Sequence, residues 1–134
     1  MNNLKYISGD LVEAWIDINT GSLVAEVVGY NPLYQEYILN NWFIEETIGC
    51  ISITEDRITP ISLTPKILEK NGWKLSHGFY WSPNEEGAAV GLSSQTGYVW
   101  KAYIGRHPLR SNINSVSDLQ HLLFGLGLNL EMEV

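Results

Sequence analysis

Apolar and polar residues alternate over the first half of the chain with the two-residue period of half-buried strands. "DLVEAWI" (residues 10–16) and "LVAEVVGY" (residues 23–30) flank the break "DINTGS", in which Gly21 is the natural turn residue, so the pair predicts a hairpin. Asn31 and Pro32 end its second strand. "QEYILNNWF" (residues 35–43) predicts a third strand, "CISIT" (residues 50–54) a fourth and "RIT" (residues 57–59) a short fifth. The rhythm then changes. In "ISLTPKILEKNGW" (residues 61–73) Thr64 is placed to cap a helix, Pro65 takes the first helical position where its missing N–H costs nothing, and Gly72 terminates it. That predicts a helix of about two turns over residues 64–72, too short to stand without packing on a neighbour.

Beyond Trp73, "HGFYW", "AAVGLSS" and "YVWKAYIG", separated by the turns "SPNEEG" and "QTG", predict a meander over residues 77–105. The polar stretch "RHPLRSNINS" (residues 106–115) reads as a loop. Leu119, Leu122, Leu123 and Leu126 then fall at i, i+3, i+4 and i+7, and Ser117 with Gln120 has the spacing of a capping box, so residues 117–126 predict an amphipathic helix. "LNLEMEV" (residues 128–134) alternates again and predicts a terminal strand. The expected fold is α+β. A small SH3-like β-barrel over residues 1–60 docks, through the short helix, on an α+β module over residues 61–134 with no flexible linker between them.

Charge divides at the same boundary. Residues 1–60 carry nine acids against Lys5 and Arg57, 2 − 9 = −7, which is the whole net charge of the chain, while residues 61–134 balance six against six. The first module repels phosphate backbones, so nonspecific nucleic-acid binding is not expected and a basic protein partner is. No apolar run approaches the length of about 20 residues that crosses a bilayer. The opening "MNNLKYISGD" also lacks the regions of a signal peptide, so no membrane association and a cytoplasmic location are expected. The lone Cys50 has no partner for a disulfide or zinc site and reads as a small residue buried in a strand.

Three segments resemble small uncharacterised proteins of Bacteroidetes phages, prophages and mobile elements: "GDLVEAW" near the start, "ITPISLTPKILEKNGW" (residues 58–73) and "VSDLQHLLFGLGLNLEMEV" (residues 116–134). Those proteins share a mid-chain "I-x-PI-x-LT-x-x-IL-x-K-x-GF" segment and a terminal "V-x-x-LQ-x-L-x-FAL" helix. Here Trp73 stands for the usual Phe, and Ser117-Asp118 precedes Leu119-Gln120 where His-Gln is common. The matching positions are apolar or capping residues. The resemblance therefore implies a shared fold and an accessory role in a mobile element, with interference in host defence as the associated activity, and it transfers no catalytic residue.

Chemistry is sparse. His77, His107 and His121 lie far apart with no metal-ligand spacing, no nucleophile is tied to any of them, and "GLSSQTG" lacks the Lys and following helix of a phosphate-binding loop. No enzyme, cofactor or metal is expected; His121, off the Leu stripe, reads as exposed or interfacial. Two constellations suit binding. In residues 98–110, Trp100 and Tyr103 are interleaved with Lys101, Arg106, His107 and Arg110, an arrangement that stacks a base and pairs with phosphate, pointing to a nucleotide-like ligand. Tyr98, Trp100, Ala102 and Ile104 equally share one strand face, as core packing requires. In the acidic module Tyr30, Tyr34, Tyr37 and Trp42 form the other candidate, a Tyr/Trp-rich protein interface, or else the core of the barrel. A non-enzymatic protein that acts by binding a protein partner is the leading expectation, and ligand binding through residues 98–110 the alternative.

Overall fold

A computed structural model describes residues 4–19, 21–40, 50–83, 89–128 and 131–134. The alternating N-terminal half forms β1 (Leu11–Asp17), β2 (Gly21–Asn31), β3 (Glu36–Asn40), β4 (Cys50–Thr54) and β5 (Ile58–Pro60), with a 3-10 turn at Glu55–Arg57 between the last two. They make one antiparallel sheet in the order β4-β3-β2-β1-β5. Period two puts Val12 and Ala14 of β1, Ala25 and Val27 of β2, and Tyr37 and Leu39 of β3 on one face, where all are buried with Tyr6, Ile53 and Ile58. Closure into a barrel is the feature that departs from expectation: among the described residues no ladder joins β4 to β5, and the sheet is open. The physical reason lies in β5, which has only three residues and ends in Pro60, a residue without an N–H for a closing ladder.

The short helix forms as its local signals require. α1 (Pro65–Lys70) is capped by Thr64, whose Oγ1 accepts from Ile67 N, and ends at Gly72 with φ +84°. The second sheet follows: β6 (Lys74–Ser76), β7 (Phe79–Trp81), β8 (Val90–Ser93), β9 (Trp100–Ile104) and β10 (His107–Ile113), a meander in the order β10-β9-β8-β7-β6. β10 occupies the stretch read as a loop. Gly105, φ +59°, begins a two-residue turn between Ile104 and His107, and pairing with β9 then draws in a segment whose exposed polar side chains hide its strand character. α2 (Val116–Gly125) covers the inner face of this sheet, burying Leu119 and Leu123 against Trp100, Tyr80, Leu92 and Ile113. The expected terminal strand does not form a ladder among residues 131–134. Met132 and Val134 still pack inward, while Asn71 holds Glu133 by both its backbone N–H and its carbonyl, each at 2.7 Å, and Lys70 Nζ donates to Val134 O.

Each sheet thus has its own core. Among the described residues they are joined at two places in particular. Leu63 N donates to Asn114 O and Val116 N to Ile61 O around a Ser62–Ser115 bridge, tying the segment between β5 and α1 to the start of α2. Leu11, the first residue of β1, packs into the second core although its neighbour Val12 belongs to the first.

Candidate functional site

The second joint is chemically the most unusual place in the molecule. Gly9 takes φ +99° and donates to Val27 O, which turns the chain so that Asp10 folds back to accept from Ile7 N through Oδ2. Asp10 is fully buried, and the same Oδ2 lies 2.6 Å from His121 Nε2 of α2. One residue away, the buried Gln120 accepts from Leu11 N at 2.8 Å and donates to Gly9 O at 3.0 Å. Gln120 is therefore not the closing residue of a capping box. Ser115 caps α2 instead, its Oγ accepting from Asp118 N, because the Ser62–Ser115 bridge lets the helix begin earlier than Ser117.

Burial lifts the Asp10 carboxyl above its ordinary value, against the opposing pull of Ile7 N–H and His121, and Oδ1 has no hydrogen-bond partner among the described residues. A group whose folded pKa is raised stabilises the fold below its unfolded pKa, and that contribution is lost as pH climbs through the folded value. Asp10→Asn keeps the size and the acceptor but removes the ionisation. Its unfolding free energy is expected to gain on wild type as pH rises from the ordinary carboxylate range toward neutrality, read by urea melts across that window. A pH-independent difference would show that burial of the charge carries no penalty.

A cleft of about 810 Å³ runs beside this joint, between the Ser8–Gly9 turn with Leu11, Glu26 and Val28 of the first sheet and Lys70, Asn71, Gln120 and residues 131–133. Lys70 and Asn71 are already bonded to the C-terminal segment, so the cleft is bordered by groups that hold the molecule together. Among the described residues no three His, Cys, Asp or Glu side chains gather as a metal site would require. The joint acts as a structural clasp.

Within residues 98–110 the strand β9 divides by period two, whereas Tyr98, expected on the same face as Trp100, lies before β9 and is 68% exposed. Trp100 is 2% exposed, its indole N–H donates to Leu63 O at 2.8 Å and its ring meets Tyr80 edge-on, so it belongs to the core. Lys101 and Tyr103 take the opposite, outward face. Arg106 lies exposed in the β9–β10 turn, His107 opens β10, and Arg110 sits 3.9 Å from Asp118 of α2. Tyr103 instead joins two aromatics that the sequence reading passed over: Phe79 lies edge-on to it at 5.6 Å and Trp81 is tilted against Phe79 at 5.6 Å. Trp81 covers Gly91, where a Cβ would come within 2.9 Å of the indole. The Phe-x-Trp spacing of β7 was the available signal, since residues two apart share a strand face.

In the first sheet Tyr37 is buried, and its ring contacts Tyr6 at 5.4 Å and Tyr30 at 4.9 Å, while its hydroxyl accepts from Lys5 N. Tyr37 and Tyr30 thus serve packing. Tyr34 stays 67% exposed in the β2–β3 turn beside Leu33 at 78%, and Trp42 lies outside the described residues. Cys50 is exposed at the start of β4, not buried, because it stands at the end of an edge strand opposite Asn40. No helix among the described residues is long and apolar enough to cross a membrane. Comparison of the chain with protein-family models, curated proteins and solved structures finds no match.

Proposed function

We propose that this chain is a non-enzymatic binding protein whose acidic first sheet meets a basic protein partner. The observation that carries this reading is the Leu33–Tyr34 turn, two large side chains held 78% and 67% exposed at the tip of a hairpin in the module that holds the entire net charge of −7. Adjacent exposed apolar side chains within an acidic surface combine an anchor with long-range steering. The resemblance of residues 58–73 and 116–134 to proteins of Bacteroidetes phages and mobile elements supports an accessory role there, with a host-defence component as the partner. These two segments contact each other through Leu63 N and Val116 N, which supports reading the resemblance as one of fold. The strand order β4-β3-β2-β1-β5 with a 3-10 turn before β5 supports an SH3-like arrangement of the first sheet, left open.

The test is capture of partners by the tagged chain from a Bacteroidetes lysate at low and at high salt. A near-stoichiometric protein whose association rate falls with ionic strength is expected, and Leu33→Ser with Tyr34→Ala is expected to weaken it about tenfold or more. A salt-insensitive complex, or one indifferent to both substitutions, would remove the acidic sheet from the interface. A second reading, a nucleotide-like ligand, is favoured by the outward face of the second sheet, where Phe79 contacts both Trp81 and Tyr103 and Lys101 lies on the same strand as Tyr103. Retention of a nucleotide without a protein in the same experiment selects it.

A further inference from the structure

Among the described residues four strands lie at sheet edges: β4 and β5 in the first sheet, β6 and β10 in the second. An edge presents unpaired N–H and C=O groups that template another strand, and folds blunt such edges by shortness, proline, lysine or bulges. β5 and β6 are three residues long, the former ending in Pro60 and the latter beginning with Lys74. β10 is longer, but it contains Pro108 and Arg110, breaks register between Pro108 and Arg110 and again between Arg110 and Ile113, and takes φ +62° at Asn112. β4 has none of these guards. Its five residues, Cys-Ile-Ser-Ile-Thr, hold no proline and no charge, and they pair with β3 one for one from Asn40–Cys50 to Glu36–Thr54.

We propose that β4 is a docking edge that receives an extended, basic segment of the partner protein as an added strand. Such a segment presupposes the protein-partner reading above and specifies its contact chemistry. Main-chain pairing supplies affinity in this mode, and the side chains of alternate residues supply specificity. On the inner face, the added strand would extend the Tyr37–Ile53 row, which calls for apolar side chains. On the outer face it would run past Ser52 and Thr54 toward Glu36, with the exposed Glu55 and Asp56 at the same end, which calls for Lys or Arg. β3 and β4 contain neither Lys nor Arg, and Arg57 is turned away, donating to Trp15 O and Ile16 O of β1. A second copy pairing through β4 would offer these carboxylates no Lys or Arg, since β3 and β4 contain none, so charge selects a basic segment over self-pairing. The Leu33–Tyr34 turn leads into Glu36 and therefore lies at the Thr54 end of β4, within the same surface.

The probe is a short end-blocked peptide of alternating Lys and Val, followed by backbone NMR and amide exchange of the whole chain. Controls are a Glu-Val peptide and a Lys-Val peptide interrupted by proline. Expected are shifts confined to β3 and β4, new exchange protection along β4, and binding weakened about tenfold by Ser52→Lys, whose exposed position leaves folding intact. Equal binding of the proline-interrupted peptide would reduce the effect to charge alone and overturn the proposal, as would shifts away from β4 or no binding. Sedimentation showing a dimer that Ser52→Lys dissociates would assign the edge to self-pairing instead. If a partner captured by wild type is retained undiminished by Ser52→Lys, the edge proposal fails while the protein-partner reading stands; if no partner is captured, that reading fails first.

Discussion

Trp100→Ala is expected to lower the unfolding free energy by about 4 kcal/mol, the range measured for removing a buried aromatic ring. Three losses combine. The indole is 2% exposed at the centre of the second core, so its removal leaves a cavity among Leu63, Tyr80, Leu92 and Ile113. Its N–H donates to Leu63 O, and that carbonyl lies where β5 gives way to α1, so the bond fastens the connection between the sheets to the core. Its edge-on contact with Tyr80 at 5.8 Å is lost as well. Trp100→Phe keeps most of the ring and forfeits the hydrogen bond, so about 2 kcal/mol is expected. Urea unfolding with both variants checks the argument. If Trp100→Ala were nearly silent in stability yet abolished ligand binding, Trp100 would be a ligand residue after all, and the packing described for it would have to be abandoned.

Gln120→Ala is expected to cost about 2 kcal/mol, because it strands the buried Leu11 N–H, takes the donor from the partly buried Gly9 carbonyl and leaves a void beside them. The more telling consequence is a loss of coupling. Gln120 belongs to the helix of the second core, whereas Gly9 and Leu11 lead into the first sheet. Each sheet has its own buried cluster, and with the clasp removed the first sheet is expected to open before the second. Amide exchange reads this directly: β1 to β3 should lose protection relative to β8 and β9 in Gln120→Ala, and both should weaken in step in Trp100→Ala if the joint at Leu63 couples them. Uniform loss of protection in Gln120→Ala would assign the residue to general packing.

Much of the fold was legible because its signals are local. Period two in residues 10–16 and 23–30 requires only neighbouring residues, and it placed β1 and β2 to within two residues at each end. Thr64, Pro65 and Gly72 act within one or two helical turns, so α1 was readable from its caps. β10 was missed because its residues carry little apolar signal of their own, being exposed at an edge except for Ile113, and strand character there comes from β9. The capping-box reading of Ser117 and Gln120 was a local inference overruled by a distant contact, since a bridge from Ser62 moved the helix start and freed Gln120 to reach a chain segment more than a hundred residues away.

The candidate surfaces divide in the same way. That Trp100 to Ile104 would place alternate residues on opposite faces followed from strand geometry, but which face would be covered did not. α2 covers the Trp100 face, and this leaves Tyr103 and Lys101 outward, where Tyr103 meets Phe79 across the sheet. Tyr37 and Tyr34 are alike as residues. One points into the core of the first sheet and the other stands on a turn, and only the sheet's folding distinguishes them.

By itself the sequence determined the α+β class, the separation of charge and the two helices, since each depends on composition or on interactions reaching a few residues along the chain. The tertiary structure decided that, among the described residues, the first sheet stays open and β4 lies at its edge, that Asp10, Gln120 and His121 form the clasp, and that β10 is a strand. Those outcomes depend on pairing and burial between residues remote in sequence, whose free energies no local pattern contains.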